Sequence, residues 1–177
     1  MNSDSHARKK SPPSQSSAPI VMPPNVRPGQ VMGLVEITGG LGSRIDTAKL
    51  ADEMGADIAV LLPILDAAEL LGLVKSEKGN VYLTDDGIAF QETSKGKVRT
   101  LADKLVKTEP FRTAMDLANR QGSVTSAEVA DSLARKGIVL HYKPEMNESL
   151  VREGLIHWMT PAGLLRYNGK TDRFQKP

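Results

Sequence analysis

The side chains that could perform chemistry in this chain are few and widely spaced. Its 177 residues include no cysteine, which excludes disulfides, thiolate metal ligands and cysteine nucleophiles. The three histidines, His6, His141 and His157, have no spacing suited to a metal site, and none has a plausible nucleophile and third partner nearby. The sequence therefore predicts no catalytic residue, no metal site and no cofactor, and we expect a protein that is not an enzyme.

A glycine-rich run is the one segment that could suggest phosphate binding. Gly39 to Arg44 reads G-G-L-G-S-R. It lacks the lysine and the serine or threonine of a P-loop, and it follows a predicted helix where a P-loop follows a strand. We interpret it as a connecting loop, so this chain is not predicted to hydrolyse ATP.

The first 26 residues differ in composition from the rest. Residues 1–26 are rich in serine and proline, with a basic triplet at Arg8, Lys9 and Lys10. They offer almost no large apolar side chain to bury, which is typical of a disordered tail. No apolar run of signal-peptide or membrane-spanning length occurs in the chain. We therefore expect a soluble, cytoplasmic protein without direct membrane insertion.

Charge changes sign along the chain. Residues 31–95 contain eleven acidic and five basic side chains, whereas residues 96–177 contain fourteen basic and nine acidic ones. The formal net charge of +2 hides this division. Residues 1–30 are basic as well, so an acidic middle is flanked by basic ends.

The elements that must position any site follow a repeated order. Residues 27–95 predict helix, helix, turn, helix and hairpin, which is the order of a winged helix-turn-helix unit. Residues 96–110 predict a connector helix, and residues 111–177 predict a second, winged-helix-like unit. The last hairpin has Asn168-Gly169 at its tip, which favours a two-residue type I′ turn. The expected fold class is mainly α with small β-hairpins (α+β), as two winged helix-turn-helix units in tandem.

Three segments resemble a known family. They are V-R-P-G-Q-V-M-G-L-V-E, K-L-A-D-E-M-G-A-D-I-A-V-L-L-P-I-L-D-A-A-E-L-L-G-L-V and L-T-D-D-G-I-A-F. They closely resemble the AAA-associated C-terminal domain, which is fused behind the ATPase subunit of nitrate/sulfonate/bicarbonate-type ABC importers and also occurs alone. The resemblance implies a regulatory appendage and a protein partner, with an ABC importer ATPase subunit as the candidate. It supplies no catalytic residues.

The third predicted helix has an unusual outward face for a winged helix. Asp57 to Val74 contains no lysine or arginine. A helical period with Ile58, Leu61, Leu65 and Ala68 inward places Ala59, Pro63, Asp66 and Glu69 outward. Carboxylates there repel the phosphates that a nucleic-acid-binding surface must attract. We therefore predict that Pro63, Asp66 and Glu69 bind a protein.

The second unit leaves a nucleic-acid alternative open. Arg152 lies on its third helix, and Arg166, Lys170 and Arg173 lie on its hairpin, where they could contact phosphates. Glu148 shares the helix with Arg152, a mixture that is typical of a solvated helix face. The alternative function is a transcription regulator that binds DNA through this second unit.

Overall fold

The computed structural model describes residues 18–177. Within them lie eight α-helices and two three-stranded antiparallel sheets. This confirms the predicted α+β class, in which helices dominate and the strands are short. Residues 1–17, which contain most of the predicted tail and its basic triplet, lie outside the described part of the chain.

The first half runs helix, strand, helix, helix, hairpin, helix. Its elements are α1 (Pro28–Gly40), β1 (Arg44–Asp46), α2 (Thr47–Glu53), α3 (Ile58–Leu70), β2 (Val74–Glu77), β3 (Asn80–Leu83) and α4 (Asp85–Glu92). The strand order is β1-β3-β2, and Val81 in the central strand pairs with Ile45 on one side and Ser76 on the other. The sheet packs against α1 and α3.

The second half repeats this order as far as the hairpin, with a π-helical turn added before it and, up to residue 177, no helix after it. Its elements are α6 (Phe111–Gln121), β4 (Ser123–Val124), α7 (Ser126–Arg135), α8 (Pro144–Gly154), a π-helical turn (Leu155–Met159), β5 (Arg166–Asn168) and β6 (Arg173–Gln175). The strand order β4-β6-β5 corresponds to that of the first sheet. Between the halves, a 3₁₀ turn (Lys97–Leu101) and the short helix α5 (Ala102–Leu105) occupy the position of the predicted connector helix.

Side-chain caps explain where several helices begin. Asp46 Oδ1 accepts hydrogen bonds from the main-chain N–H groups of Ala48 and Lys49 at the start of α2. Thr84 Oγ1 caps α4 by accepting from Gly87 N–H. Thr125 and Glu128 form a reciprocal capping box at α7. These bonds satisfy donors that a helix leaves unpaired at its N-terminus.

The predicted two-residue turn of the last hairpin is wrong. Four residues, 169–172, separate β5 from β6. Asn168 Oδ1 accepts from Lys170 N–H at 3.0 Å, and Asp172, instead of Gly169, takes the positive φ of 50°. The asparagine side chain thus folds the tip into a wider loop, because it competes with the main-chain bonds of a tight turn.

One continuous hydrophobic core extends through both halves. Among its largest fully buried side chains are Leu34, Leu61, Leu105, Phe111, Trp158 and Phe174. The two aromatic rings of Phe111 and Trp158 lie 6.5 Å apart, centroid to centroid. The two halves therefore share one core, instead of each burying its own set of side chains.

Residues 18–26, the last part of the predicted tail, form an ordered strap, which corrects the expectation that this segment is disordered. Met22 and Val26 are only 3% and 7% exposed. Met22 N–H donates to the Glu109 carbonyl, and Glu109 N–H donates to the Ile20 carbonyl, both at 2.8 Å. Trp158 Nε1–H donates to the Val26 carbonyl at 2.9 Å. Two buried apolar side chains and three hydrogen bonds thus anchor a segment whose composition is typical of a flexible tail.

Removing the strap should destabilise the protein. Burial of one such side chain contributes about 1.5–3 kcal/mol, so a chain beginning at Arg27, which lacks both, should lose about 3–6 kcal/mol. For a protein of this size we expect the melting temperature to fall by roughly 6–24 °C, measured by differential scanning calorimetry. A chain beginning at Ala18 is the matched control and should melt like the full chain. Equal melting temperatures for all three chains would contradict the anchoring role of the strap.

Candidate functional site

Helix α3 has one buried and one outward face. Asp57 precedes it, and the Asp57 carbonyl accepts hydrogen bonds from Val60 N–H at 2.9 Å and Leu61 N–H at 3.0 Å. Pro63 lies inside the helix and has no N–H for the preceding turn, so that turn is held by fewer bonds than the rest. The buried face consists of Leu61, Ile64, Leu65, Ala67 and Ala68. The outward face is left for other contacts.

The three residues predicted to bind a protein are not equally available. Asp66 is exposed and has no ion-pair or hydrogen-bond partner among residues 18–177. Pro63 is half-buried one turn earlier. Glu69 is also half-buried, and its Oε1 accepts a hydrogen bond from the main-chain N–H of Ser76 in β2. Glu69 therefore fastens the hairpin to α3, and its carboxylate is engaged within the fold.

Two large apolar side chains on this face were missed by the sequence reasoning. Ile58, predicted to face inward, is 47% exposed, and Leu62 is 46% exposed. Leu61 is the first buried residue of α3, because the first turn of the helix lies beyond the edge of the core. Residues at i and i+4 lie side by side on a helix. Ile58, Leu62 and Asp66 follow one another at this spacing, which indicates that the two apolar residues share the outward face of Asp66. We call Ile58, Ala59, Leu62 and Pro63 the apolar ridge.

Only carboxylates supply charge close to the ridge along the chain. Asp57 precedes the ridge and Asp66 follows it, and both are exposed. Asp52 and Glu53, at the end of α2, are exposed as well. No lysine or arginine occurs between Lys49 and Lys75. This stretch of the chain therefore carries only negative charge, which disfavours phosphate and favours cationic groups.

Arg152, the first of the nucleic-acid candidates, is held by carboxylates of its own half. Arg152 Nη2 lies 2.8 Å from Asp172 Oδ2 and 2.7 Å from Glu148 Oε1. Tyr167 Oη donates to Asp172 Oδ1 at 2.8 Å. The hydrogen bonds from Tyr167 and Arg152 lower the pKa of Asp172 below its ordinary value. The network ties α8 to the last hairpin and occupies the guanidinium.

The other three candidates differ in whether their charge is paired. Arg173 Nη2 lies 3.6 Å from Glu128, and its Nε donates to Ser123 Oγ at 2.9 Å. Arg166 and Lys170 are exposed and have no ion-pair partner in the described part of the chain. Of the four predicted phosphate contacts, two are thus engaged in intramolecular ion pairs.

Glu109 is the buried charged residue of the described chain, with 1% exposure. It accepts hydrogen bonds from Thr113 Oγ1 at 2.7 Å and Thr113 N–H at 3.1 Å, and Arg112 Nη2 lies 2.9 Å away. Burial raises the pKa of Glu109, but the bonds from Thr113 and the positive charges of Lys136 and Arg112 outweigh it, so the pKa is lowered. The carboxylate is held ionised and joins α6 to the end of α7.

The other features considered in the sequence are the glycine-rich run, possible metal ligands and apolar segments. Gly39 belongs to the last turn of α1, where an added Cβ would collide with the side chain of Gln91. Among residues 18–177, no group of three His, Asp or Glu side chains comes together as metal ligands. Within the same residues, no helix combines the length and apolar character needed to cross a membrane.

Comparison with known proteins identifies the family. The model of the family described as the C-terminal AAA-associated domain matches residues 48–168. The chain belongs to this family. In the AAA-associated chain, the matched span begins in α2 and includes all of α3 with its apolar ridge, and it ends at Asn168 on β5. Neither the curated proteins nor the solved structures yielded a match.

Acid should reveal the contribution of Glu109 to the stability of the AAA-associated chain. Because its pKa is lower in the folded state, its stabilising contribution is complete above the ordinary carboxyl pKa and is lost as the pH falls through the folded-state pKa. Glu109→Gln should cost about 1–3 kcal/mol at neutral pH. From pH 5 downward, the variant should lose less unfolding free energy than the wild type, as measured by urea denaturation.

Asp131, exposed in the middle of α7, supplies the matched control for this experiment. Asp131→Asn should change the unfolding free energy little, both at neutral pH and in acid. If Glu109→Gln also followed the wild-type curve, the ion-paired role of Glu109 would be refuted.

Proposed function

We propose that this protein is a non-enzymatic regulatory module that binds another protein, built from two winged helix-turn-helix units in tandem. The repeated order of helix, strand, helix, helix and hairpin supports the tandem, as does the matching strand order of the two sheets. In this description α3 and α8 are the third helices of the two units, and the hairpins β2–β3 and β5–β6 are their wings.

The outward face of α3 is the observation that carries the proposal. In a DNA-binding winged helix, the third helix needs cations next to phosphates. Here that position presents the apolar ridge, with Asp57 and Asp66 at its two ends. Exposed apolar side chains on a rigid helix favour contact with a protein surface, since their burial releases water. Pro63 and Asp66 remain in the proposed site, whereas Glu69 supports it from within the fold.

The proposed partner is an ATPase subunit of an ABC importer. Membership of the C-terminal AAA-associated domain family supports this choice, since the domain resembles an appendage of such subunits. The module would bind its ATPase in the cytoplasm and act on it by contact instead of by chemistry. We propose no catalytic residue and no cofactor for the module.

A transcription regulator acting through the second unit is the alternative reading. It would rely on Arg152, Arg166, Lys170 and Arg173. The pairing of Arg152 with Asp172 and of Arg173 with Glu128 reduces the cations that could neutralise phosphate. DNA binding is therefore the competing outcome in the experiment that tests the proposal.

Titration of the labelled full chain against a candidate importer ATPase subunit and against random duplex DNA separates the two functions. We expect binding to the ATPase and none to DNA at low salt. The substitution Asp66→Lys should weaken the ATPase complex, mainly through a slower association rate, because it removes an attractive charge. The measurement is biolayer interferometry at two salt concentrations.

The matched control reverses an exposed carboxylate of the other half, Asp131→Lys. It should leave ATPase binding unchanged. Tight, salt-sensitive binding of DNA, together with no response to the ATPase, would replace the protein-binding proposal with the transcription-factor alternative.

A further inference from the structure

The apolar ridge is exposed in a way that the fold itself does not require. Ile58 and Leu62 leave nearly half of their surface in water, although the core beneath α3 is fully packed by Leu61 and Leu65. Single exposed apolar residues are ordinary, but neighbouring ones on a helix face mark contact sites. Ile58 and Leu62 lie four residues apart, and Asp66 continues the same row. The ridge therefore offers two apolar anchors in line with one carboxylate.

Charge around the ridge restricts what can cover it. The exposed carboxylates Asp57 and Asp66 flank it along α3, and Asp52 and Glu53 lie exposed at the end of the preceding helix. No lysine or arginine occurs from residue 50 to residue 74. A surface that covers the ridge takes water away from these carboxylates, and positive charge on that surface must compensate for the lost solvation. Anionic surfaces, such as nucleic acid or an acidic membrane, are repelled.

We propose that the apolar ridge docks an amphipathic basic helix of the partner protein, with apolar side chains over Ile58 and Leu62 and lysine or arginine next to Asp57 and Asp66. This inference rests on the proposed protein-binding function and names the chemistry that its partner must present. An amphipathic helix presents apolar anchors at i and i+4 along one face, and Ile58 and Leu62 have the same spacing on α3, so two such faces can pack together. The cations would pair with carboxylates at the rim, where they set orientation and association rate.

A designed peptide tests this chemistry on the full chain. The probe is a fluorescein-labelled helical peptide of leucine and lysine with one apolar face. Two matched peptides accompany it, one with glutamate in place of lysine, and one with the same leucines and lysines scrambled so that no apolar face forms. In fluorescence anisotropy, the amphipathic basic peptide should bind, and both matched peptides should bind roughly 10-fold more weakly or worse.

Substitutions locate the binding face. Ile58→Ser combined with Leu62→Ser should weaken binding of the basic peptide roughly 10-fold or more, since buried anchors dominate such interfaces. Val60→Ser is the matched control, because Val60 is 52% exposed in the same turn but two residues away from either anchor and thus on a different side of the helix. It should change the affinity little. Asp57→Asn with Asp66→Asn should weaken binding and reduce its salt dependence.

Circular dichroism melts should first show that each variant remains folded, as expected for substitutions of exposed residues. Equal binding of the scrambled and amphipathic peptides, or an equal loss in Val60→Ser and in the Ile58/Leu62 double variant, would overturn the inference. Either result would mean that attraction is by charge alone, or is not centred on the ridge.

The same variants keep this inference separate from the proposed function. If the ATPase subunit binds but ignores the Ile58/Leu62 double variant, the module binds its partner elsewhere and only the inference fails. If the peptide result holds but the ATPase does not bind, the docking chemistry stands and the named partner is wrong.

A second copy of the chain is the other protein that could cover the ridge, and its binding must be distinguished from that of a partner helix. The second half has exposed apolar residues of its own, Val139, Tyr142 and Met146, next to Lys143. Sedimentation velocity over a range of concentrations should show a monomer. Self-association that disappears in the Ile58/Leu62 double variant would assign the ridge to a second copy and overturn the inference.

Discussion

The hydrogen bond from Trp158 Nε1 to the Val26 carbonyl connects the two ends of the described chain. Val26 is the last residue of the strap, directly before the first helix of the acidic half, and Trp158 is the single tryptophan, buried in the basic half. The strap also pairs with Glu109 between the halves. A buried indole N–H needs such a partner, so the position of the strap and the packing of the second half depend on each other. Both Val26 and Trp158 belong to the continuous core.

A rigid fold matters for the proposed binding function. A helix face can recognise a partner tightly only if the side chains beneath it are fixed, because ordering them on binding costs entropy. The inner face of α3 is closed by Leu61, Leu65 and Ala68, and Glu69 joins it to β2. The apolar ridge and Asp66 therefore lie on a surface whose supporting side chains are already fixed before binding. Its carboxylates repel phosphate, which is why the proposed function favours a protein partner over nucleic acid.

Local signals predicted the helix order, the hairpins and the α+β class well, because periodicity and capping side chains are encoded in short stretches. Sequence reasoning failed where distant residues decide. The strap depends on partners at Glu109 and Trp158, which no local pattern reveals. Ile58 fits the inward helical period, but the core does not reach the first turn of α3, so this residue of the candidate site was assigned to the wrong face. Arg152 looked available until the fold brought Asp172 next to it.

Hydrogen exchange with mass spectrometry tests most directly the claim that α3 is the partner-binding surface. The full chain would be compared alone, with an importer ATPase subunit, and with duplex DNA. The account predicts slower amide exchange across Ile58–Leu70 when the ATPase is present, and no change with DNA. Slower exchange confined to Pro144–Gly154 and Arg166–Gln175, with α3 unaffected, would contradict it.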